Sequence, residues 1–315
     1  MRCFITGAAG FIGSHLTERL LTDGHSVTGF DNLSSGRIEW LAAVRNHPLF
    51  EFCKGDLLDS NVLKQAMSGH DTIFHLAANG DIQAAFGNPR LDVEQGILAT
   101  FNVLEAMRLT GASRLIFTSS GSVFGMADIV PTPETIGPLF PMSMYAASKA
   151  ACEGFISATA HTFGLQAWTF RFGNVVGDRM SRGVIHDFIM KLRKNPAELE
   201  ILGDGEQEKS YILVEEVIDG MLFTLTNVKV DPCDIFNLSH AETTIVKDIA
   251  RIVVEEMGLR DVTLRYTGGK GGWPGDQPLA RLDVSKLHQL GWRAKHSSAE
   301  AVHIATTRLL AQQEL

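Results

Sequence analysis

The sequence has few of the residues that crosslink small domains or bind structural metals. Its 315 residues include four cysteines, and no two of them have the spacing of a CxxC motif. A zinc site and a disulfide framework are therefore not predicted. Scattered cysteines are typical of proteins from reducing compartments, so we expect buried reduced thiols, no bound metal and a cytoplasmic location.

Long apolar runs and a surplus of basic residues are also missing. No stretch reaches the roughly 18 apolar residues of a membrane-spanning helix, and the apolar stretch at residues 3–6 is too short for a signal peptide. The 28 basic and 36 acidic residues give a formal net charge of −8. We therefore expect neither nucleic acid nor a membrane as a partner, although a local basic pocket for a phosphate stays open.

The sequence does contain a regular alternation of short apolar runs and helical patterns. This alternation predicts βαβ units, and therefore an α/β fold with a doubly wound parallel sheet. After residue 172 the alternation loosens, and glycine and proline become frequent. We predict a sheet domain of residues 1–172 and about 211–238, and a smaller interleaved C-terminal substrate-binding region of about 173–210 and 239–315. The predicted strands are residues 2–6, 25–31, 50–54, 72–76, 114–119 and 167–172, and the predicted helices are 13–22, 38–45, 61–67, 92–110 and 144–163.

A glycine-rich turn, TGAAGFIG, follows the first predicted strand. Gly7 permits a tight turn, Gly10 lets the backbone approach a pyrophosphate, and Gly13 allows the helix to pack closely on the strand. The first helical turn, at Phe11 and Ile12, offers backbone N–H groups to the same anion. The turn therefore predicts a dinucleotide-binding Rossmann domain.

Residues at the ends of later strands refine the cofactor prediction. Asp31 ends the second strand, where a carboxylate would bind a ribose 2′-hydroxyl and repel a 2′-phosphate, which favours NAD over NADP. Asp56 follows the third strand and is a candidate either for an adenine contact or for a helix N-cap. His75, at the end of the fourth strand, is more typical of a packed core residue than of a catalyst. The predicted cofactor contacts beyond the glycine-rich turn are Asp31, Asn32, Asp56, Leu57, Leu76, Ala77, Ala78, Tyr145 and Lys149.

Tyrosine is scarce, with three in the chain, and one of them precedes a lysine by four residues. This spacing in a predicted helix places Tyr145 and Lys149 on one face. Because a nearby cation favours phenolate, we expect Lys149 to lower the pKa of Tyr145 and make the phenol a general base. An exposed pair without function is the alternative. Ser120 ends a predicted parallel strand, where doubly wound folds bind ligands, and we expect it to hydrogen-bond a substrate oxygen.

The ordered motifs resemble the extended short-chain dehydrogenase/reductase superfamily over nearly the whole chain. They are TGAAGFIGSHL, DNLSSG, GDLLD, HLAA, SSGSVFG, YAASK, RFGNVVG and GDGEQEKSY. Within the superfamily the sequence is most similar to nucleotide-sugar 4-epimerases of the UDP-glucose 4-epimerase type. The resemblance implies a retained NAD, a homodimer packed through helices, and Ser120, Tyr145 and Lys149 as the catalytic trio. It implies inversion of C4 of a UDP-hexose, UDP-hexosamine or UDP-uronate through a transient 4-keto sugar, with Tyr145 removing the 4-hydroxyl proton.

Two positions after the catalytic serine distinguish relatives within the superfamily. Gly121 and Ser122 stand where sugar 4,6-dehydratases have an Asp-Glu pair; decarboxylating relatives have Glu, and 3,5-epimerising relatives Cys, at the second position. The absence of an extra acid or base favours a plain 4-epimerase. A dehydratase, decarboxylase or reductase of the same superfamily, and a non-catalytic NAD-binding regulator, remain as alternatives.

The resemblance also implies a set of substrate contacts, in which this chain departs from the family. Lys209 replaces a phosphate-binding arginine, which keeps the charge but loses the bidentate fork. Trp273 occupies the position of a second phosphate-binding arginine. Arg281 and Arg179 are candidates to replace that arginine, and the alternative is that each is only a surface charge. Ala280 leaves room for an N-acetyl group, and Gln95 or Gly96 replaces a cofactor-side asparagine. The predicted substrate contacts are Ser120, Ser122, Tyr145, Asn174, Lys209 and Arg281.

Overall fold

The computed structural model describes residues 1–81 and 84–312, and the chain divides into two compact units. The last three residues of the predicted C-terminal region lie outside this range. The first unit comprises Met1–Val123, Leu139–Arg171 and Met221–Phe236, and the second comprises Phe124–Pro138, Phe172–Gly220 and the chain from Asn237 onward.

Two segments of the second unit differ from the sequence-based boundaries. The sequence pattern assigns residues 124–138 and 211–220 to the sheet domain, whereas they belong to the second unit. For residues 124–138 the reason is a set of backbone hydrogen bonds to a distant part of the chain. Thr132 N–H donates to Arg281 O at 2.9 Å, and Asp283 N–H donates to Thr132 O at 2.9 Å. Bonds between residues so far apart leave no local signal in the sequence.

The strands and helices follow one another along the chain much as the alternation predicts. The strands are β1 (Arg2–Thr6), β2 (Ser26–Asp31), β3 (Phe50–Lys54), β4 (Thr72–His75), β5 (Arg114–Ser120), β6 (Gln166–Phe172), β7 (Asn174–Val176), β8 (Glu198–Ile201), β9 (Glu208–Lys209), β10 (Tyr211–Leu213), β11 (Cys233–Leu238), β12 (Thr244–Ile245), β13 (Thr263–Tyr266) and β14 (Leu279–Ala280). The α-helices are α1 (Phe11–Thr22), α2 (Ser60–Met67), α3 (Ala84–Gly87), α4 (Arg90–Asp92), α5 (Ala99–Thr110), α6 (Met144–Phe163), α7 (Val184–Lys194), α8 (Val214–Asn227), α9 (Val246–Glu256), α10 (Ser285–Gln289) and α11 (Ser298–Gln312).

The first unit is built on a seven-stranded sheet in the order β11-β6-β5-β4-β1-β2-β3. The pairs β1–β2, β2–β3, β1–β4 and β4–β5 are all parallel. The strand order reverses its direction of growth between β1 and β4, as it does in a Rossmann fold. The predicted α/β, doubly wound fold is therefore confirmed.

Burial on both faces of the central strands explains why these short apolar runs pair in parallel. Every residue of β4 is buried, and so are the last four residues of β1. Strands covered by helices on both sides are expected to have near-continuous apolar sequences. Phe4, Phe74 and Phe117 are at most 1% exposed, and each such side chain contributes about 1.5–3 kcal/mol through burial.

Two predicted helices take other forms. The pattern at residues 38–45 becomes a short 3-10 helix, Ile38–Leu41, and the buried side chains of the predicted span are Leu41 and Val44. Two buried side chains provide too little apolar face to hold a longer helix. The predicted helix 92–110 is divided into α4, a π-helix at Val93–Leu98, and α5. Gly96 in the π-helix lies against α6, since a Cβ built on it would be 2.8 Å from Ser148 Oγ.

The second unit consists of small sheets and three longer helices. Its sheets pair β7 with β10, β8 with β13, and β9 with both β12 and β14. Helices α7, α9 and α11 pack on one another. Among the residues that the structure describes, no helix combines the length and the apolar character that crossing a bilayer requires.

Candidate active site

The site begins where the strand order reverses, at the carboxyl ends of β1 and β4. Thr6 Oγ1 accepts hydrogen bonds from the N–H groups of Leu76 and Ala77, both at 3.2 Å. These bonds fix the segment that leaves β4 beside the turn that leaves β1. Doubly wound folds bind their ligands in the crevice at this point of the sheet.

The glycine-rich turn has no room for side chains. Gly7 has a φ of +71°, and a Cβ on it would lie 2.9 Å from Ala77 N. A Cβ on Gly13 would lie 2.0 Å from Gly7 O. Helix α1 starts after Gly10 without a side-chain cap, so its first turn can present N–H groups to an anion. This backbone cradle fits the pyrophosphate of a dinucleotide.

Asp31 lies at the carboxyl end of β2, next to the glycine-rich turn. Its side chain accepts the Ala9 N–H at 3.0 Å and the Leu33 N–H at 2.8 Å. Burial raises the pKa of Asp31, whereas the two backbone donors oppose that change. The carboxylate is therefore part of the cradle itself, in the place where the sequence predicts a ribose contact.

Asp56 contacts Asn32 rather than capping a helix. Asn32 Nδ2 donates to Asp56 Oδ2 at 3.0 Å, which joins the loops that follow β2 and β3. The N-cap of α2 is Asp59, which accepts the Val62 N–H at 3.1 Å. The N-cap interpretation of Asp56 is therefore wrong, and its adenine contact stays a prediction, as does the role of Leu57.

His75 is a packed core residue. It is 1% exposed, and its ring nitrogens hydrogen-bond Thr6 Oγ1 at 2.7 Å and Thr100 Oγ1 at 2.9 Å. Burial lowers the pKa of His75 to about 3. An imidazole that stays neutral and already has two partners is suited to structure rather than to proton transfer.

The hydroxyl groups of the predicted trio meet where β5 ends and α6 begins. Helix α6 is capped by Ser143, whose Oγ accepts the Ala146 N–H at 3.1 Å, and this places Tyr145 in the first turn. The Ser120 hydroxyl lies near enough to the Tyr145 phenol to lower the phenol's pKa, against the burial that raises it. Ser122 donates to Ser120 Oγ from both its hydroxyl, at 2.9 Å, and its N–H, at 3.2 Å. The Ser122 and Ser120 hydroxyl groups are therefore hydrogen-bonded to each other beside the Tyr145 phenol.

Lys149 lies beside Tyr145, but the pKa of the phenol differs from the prediction. Its ammonium donates to Thr118 O at 2.7 Å and lies 5.9 Å from the centre of the Tyr145 ring. Burial lowers the pKa of Lys149 to about 8 and raises that of Tyr145 to about 12. The predicted lowering of the Tyr145 pKa is wrong for this arrangement, because burial dominates and the lysine bonds a carbonyl rather than the phenol.

A buried ion pair below the trio was missed in the sequence. Arg171 contacts Glu153 through two nitrogens, at 3.0 and 2.7 Å, and Ser119 Oγ donates to the same carboxylate at 2.6 Å. The Arg171 and Glu153 side chains are 4% and 7% exposed. Glu153 is one helical turn beyond Lys149, so the i, i+4 spacing that singled out Tyr145 and Lys149 could have found it.

Within the second unit, the predicted substrate contacts lie close to one another. Lys209 pairs with the Asp276 carboxylate and lies 5.4 Å from the centre of the Trp273 ring. Ala280 is opposite Lys209 in the β9–β14 register, and Arg281 Nε donates to Ala241 O at 2.9 Å. The lysine in the predicted phosphate position thus already has an anionic partner.

Asn174 and Ser210 belong to the same neighbourhood. Asn174 donates to Ser210 O from its N–H at 3.0 Å and from Nδ2 at 3.3 Å. Arg179 is the other candidate to replace the second phosphate-binding arginine, and its Nε lies 3.7 Å from the Asp178 carboxylate. Of the predicted set, the structure brings Asn174, Lys209 and Arg281 near one another through Ser210 and Ala280.

Comparison with known proteins gives a consistent family and several activities. The family model described as NAD dependent epimerase/dehydratase matches residues 3–239. The chain is 33% identical over 309 residues, 96% of each chain, to a protein of Mycolicibacterium smegmatis named UDP-glucose 4-epimerase. It is also 28% identical over 311 residues, 96% of this chain and 68% of the other, to UDP-glucuronic acid decarboxylase 1 of Arabidopsis thaliana.

Solved structures agree over the full length of the chain. A crystal structure of a UDP-galactose 4-epimerase superposes with a TM-score of 0.89, with 39% identity and complete coverage of both chains. A Thermus thermophilus UDP-glucose 4-epimerase in complex with NAD superposes with a TM-score of 0.86, 29% identity and 98% coverage of both chains.

Proposed function

The chain belongs to the NAD dependent epimerase/dehydratase family, and from this premise we propose that it is a nucleotide-sugar 4-epimerase that inverts C4 of a UDP-hexose, UDP-hexosamine or UDP-uronate. It is an NAD-dependent enzyme of that family. The observation that carries the proposal is the Tyr145 phenol near Ser120 and beside the buried Lys149, with Gly121 and Ser122 following Ser120. The phenol supplies the proton-transfer group, and the two positions after Ser120 add no carboxylate or thiol.

The glycine cradle fits NAD, which supplies the hydride acceptor and donor when it is bound. Gly7, Gly10 and Gly13 are proposed to hold the pyrophosphate through backbone N–H groups, and Asp31 to hold the ribose. Support comes from the close backbone packing at Gly7 and Gly13, where a Cβ would clash with Ala77 N and with Gly7 O, and from the position of Asp31 against the turn.

Tyr145 is proposed to move the proton of the sugar 4-hydroxyl. In the first half of the reaction its Oη takes the proton, and in the second half it returns the proton to the same oxygen after the 4-keto sugar has turned over. The first step starts from the phenolate form of Tyr145, and the pKa of about 12 means that Oη, once protonated, holds the proton between the two steps. Ser120 positions the phenol and the substrate oxygen, and Ser122 orients Ser120.

Substrate binding is proposed to use the second unit. Lys209 would bind a phosphate of the diphosphate, with Arg281 and Asn174 as further contacts and Ala280 leaving room beside the sugar. The support is that these residues are neighbours around Ser210 and Ala280. Because Lys209 lies between Asp276 and Trp273, its charge is oriented before the ligand arrives. The first unit is correspondingly proposed to bind NAD.

A homodimer is proposed through the exposed apolar face of α5 and α6. Phe101 and Phe155 are 48% and 43% exposed, and their rings meet edge to face at 6.2 Å. Leu109 and Phe163 extend the same two helices with further exposed apolar side chains. Exposed aromatic clusters of this kind are typical of protein interfaces, and an isologous helix pair suits a second copy of the chain.

A product analysis tests the proposed reaction. The enzyme is incubated separately with UDP-glucose, UDP-N-acetylglucosamine and UDP-glucuronate, and the products are identified by NMR. We expect a C4 epimer from at least one of them without net consumption of NAD. A 4-keto-6-deoxy sugar, a pentose product, or a requirement for stoichiometric reduced cofactor would contradict the proposal and point to a dehydratase, decarboxylase or reductase. Absence of turnover with bound NAD would instead favour a regulator.

A further inference from the structure

Asp92 is a buried carboxylate that the proposed reaction does not use. It ends α4 and lies at the start of the π-helix, where it is 1% exposed. Its Oδ1 accepts a hydrogen bond from Asn79 Nδ2 at 2.9 Å. Its Oδ2 is fully buried and has no hydrogen-bond partner among the described residues. Burying an ionised carboxylate with a bare oxygen is costly unless an opposite charge lies nearby.

Lys149 supplies that opposite charge. Helix α4 and the π-helix both pack on α6, and Asp92 and Lys149 interact electrostatically. The other carboxylate near Lys149 belongs to Glu153, which is already paired through both oxygens with Arg171. Asp92 is therefore the remaining acid near the lysine: burial raises the pKa of Asp92, and the Asn79 hydrogen bond and the Lys149 charge oppose that change and favour the carboxylate.

The remaining ionisable groups around the pair do not replace Asp92. His75, from β4, is neutral at ordinary pH because burial lowers its pKa to about 3. Cys152, on α6, is a neutral thiol whose pKa is raised by burial. Arg171, from β6, is occupied by Glu153. The charge of Asp92 thus acts mainly on Lys149 and on Tyr145, with which it also interacts.

We propose that Asp92 is a positioning residue of the catalytic centre, the buried counterion that keeps Lys149 charged and keeps a proton on Tyr145 between the two halves of the reaction. This inference rests on the proposed epimerase function for its role in turnover. The geometry behind it is the bare carboxylate oxygen in the segment that packs on the helix carrying Tyr145 and Lys149.

The test compares Asp92→Asn with Glu94→Gln in the NAD-bound enzyme. Asn keeps the shape and an acceptor for Asn79 but removes the charge. Glu94→Gln removes one charge from a partly exposed position two residues away, where the side chain pairs with Arg90. The chain has three tyrosines, so labelling the tyrosine ζ-carbon gives three NMR signals whose pH titrations can be followed one by one. The Tyr145 signal is the one that is lost in Tyr145→Phe.

We expect Asp92→Asn to move the titration of Tyr145 to lower pH by about half a unit or more, because a like charge no longer opposes the phenolate. The rising limb of the kcat/KM profile should move in the same direction. Glu94→Gln should leave both where they are in the wild type. Coincident Tyr145 titrations in wild type, Asp92→Asn and Glu94→Gln would overturn the proposal.

A second variant covers the case in which Asp92→Asn does not fold. Asn79→Ala keeps Asp92 but removes the donor that favours its charged form, so a smaller shift of the Tyr145 titration in the same direction is expected. No shift in Asn79→Ala would then count against the role of Asp92. The NMR titration needs no sugar substrate. It therefore tests the role of Asp92 independently of the product analysis, which tests the proposed reaction.

Discussion

Tyr145 Oη is the atom on which the proposed proton transfer depends. We expect Tyr145→Phe to lower kcat by between about a hundredfold and ten-thousandfold, because the ring still fits but the proton-transfer group is gone. NAD binding, measured by calorimetry, should change little. Tyr266→Phe is the matched control, since Tyr266 is an exposed tyrosine of β13. A Tyr145→Phe enzyme with wild-type kcat would remove the phenol from the mechanism.

His75 makes the stability of the first unit depend on pH. Its pKa is about 3 in the folded chain and about 6.5 when unfolded, so the unfolded chain binds the extra proton between these values. The free energy of unfolding should therefore fall as pH decreases below about 6.5, by about 2 kcal/mol at pH 5 from this group alone.

The measurement for His75 is denaturant unfolding at a series of pH values, with His75→Gln as the reference. Gln does not titrate, so the difference between wild type and variant isolates the histidine even if the substitution has a constant cost. A difference that is independent of pH between 7 and 5 would show that His75 does not contribute to the acid sensitivity.

At the residue scale, the sequence identifies the participants better than their electrostatics. The spacing of Tyr145 and Lys149 predicts their shared helix face, and the scarcity of tyrosine draws attention to the pair. The direction of the Tyr145 pKa could not be predicted, because it depends on burial and on the Thr118 carbonyl that receives the lysine. Asp92 and its bare oxygen are likewise visible only in three dimensions.

At the element scale, the π-helix and α6 approach each other at a glycine. Gly96→Ala should lower the free energy of unfolding by about 1–3 kcal/mol, because its Cβ would lie 2.8 Å from Ser148 Oγ and 3.0 Å from Ser148 Cβ. Gly154→Ala is the matched control: Gly154 lies in α6 with open space around its Cβ, so alanine should stabilise by about 0.5–1 kcal/mol.

Denaturant unfolding of both variants and of Gly96→Ala with Ser148→Gly measures this contact. The double variant should recover part of the loss, since glycine at 148 removes the atoms that the new methyl meets. Equal stability of Gly96→Ala and wild type would mean that the two helices are not closely packed at this point.

Several predicted elements have the bounds that the structure shows. The runs at residues 2–6 and 50–54 and the helix at 144–163 have the bounds of β1, β3 and α6, although β3 has no fully buried residue and α6 keeps an exposed apolar face. The predicted helix at 38–45 fails because two buried side chains, Leu41 and Val44, do not make a sufficient apolar face. The interruption at Val93–Leu98 has no marker in the apolar periodicity, which continues through it.

At the scale of the whole molecule, the proposed dimer depends on the α5–α6 face. Phe101→Glu and Phe155→Glu should each convert a dimer to a monomer in light-scattering measurements, because a charge would be buried at the centre of the face. Leu49→Glu is the control, since Leu49 is exposed but lies away from both helices. Dimers that persist in both phenylalanine variants would exclude this face.

The division of the whole chain into units is the part of the organisation that the sequence predicts least well. The pattern loosens after residue 172, and the second unit has a segment that starts at Phe172, but it also includes Phe124–Pro138. Residues 124–138 join that unit through Thr132 and the strand-like segment around Leu282, about 150 residues further along the chain. Local patterns carry no information on partners at such distances.

Asp31 has a consequence for redesigning the cofactor preference. Accepting NADP would require its charge to be removed, since a carboxylate repels a 2′-phosphate. In this chain the same removal takes away the acceptor of the Ala9 N–H. A Cβ on Gly36 would lie 2.9 Å from Asp31 Oδ2, so the neighbouring loop also leaves little room for a bulkier basic side chain. The carboxylate that selects NAD therefore also holds the glycine-rich turn in place. An engineered NADP enzyme would have to rebuild the loop at residues 32–36 together with position 31.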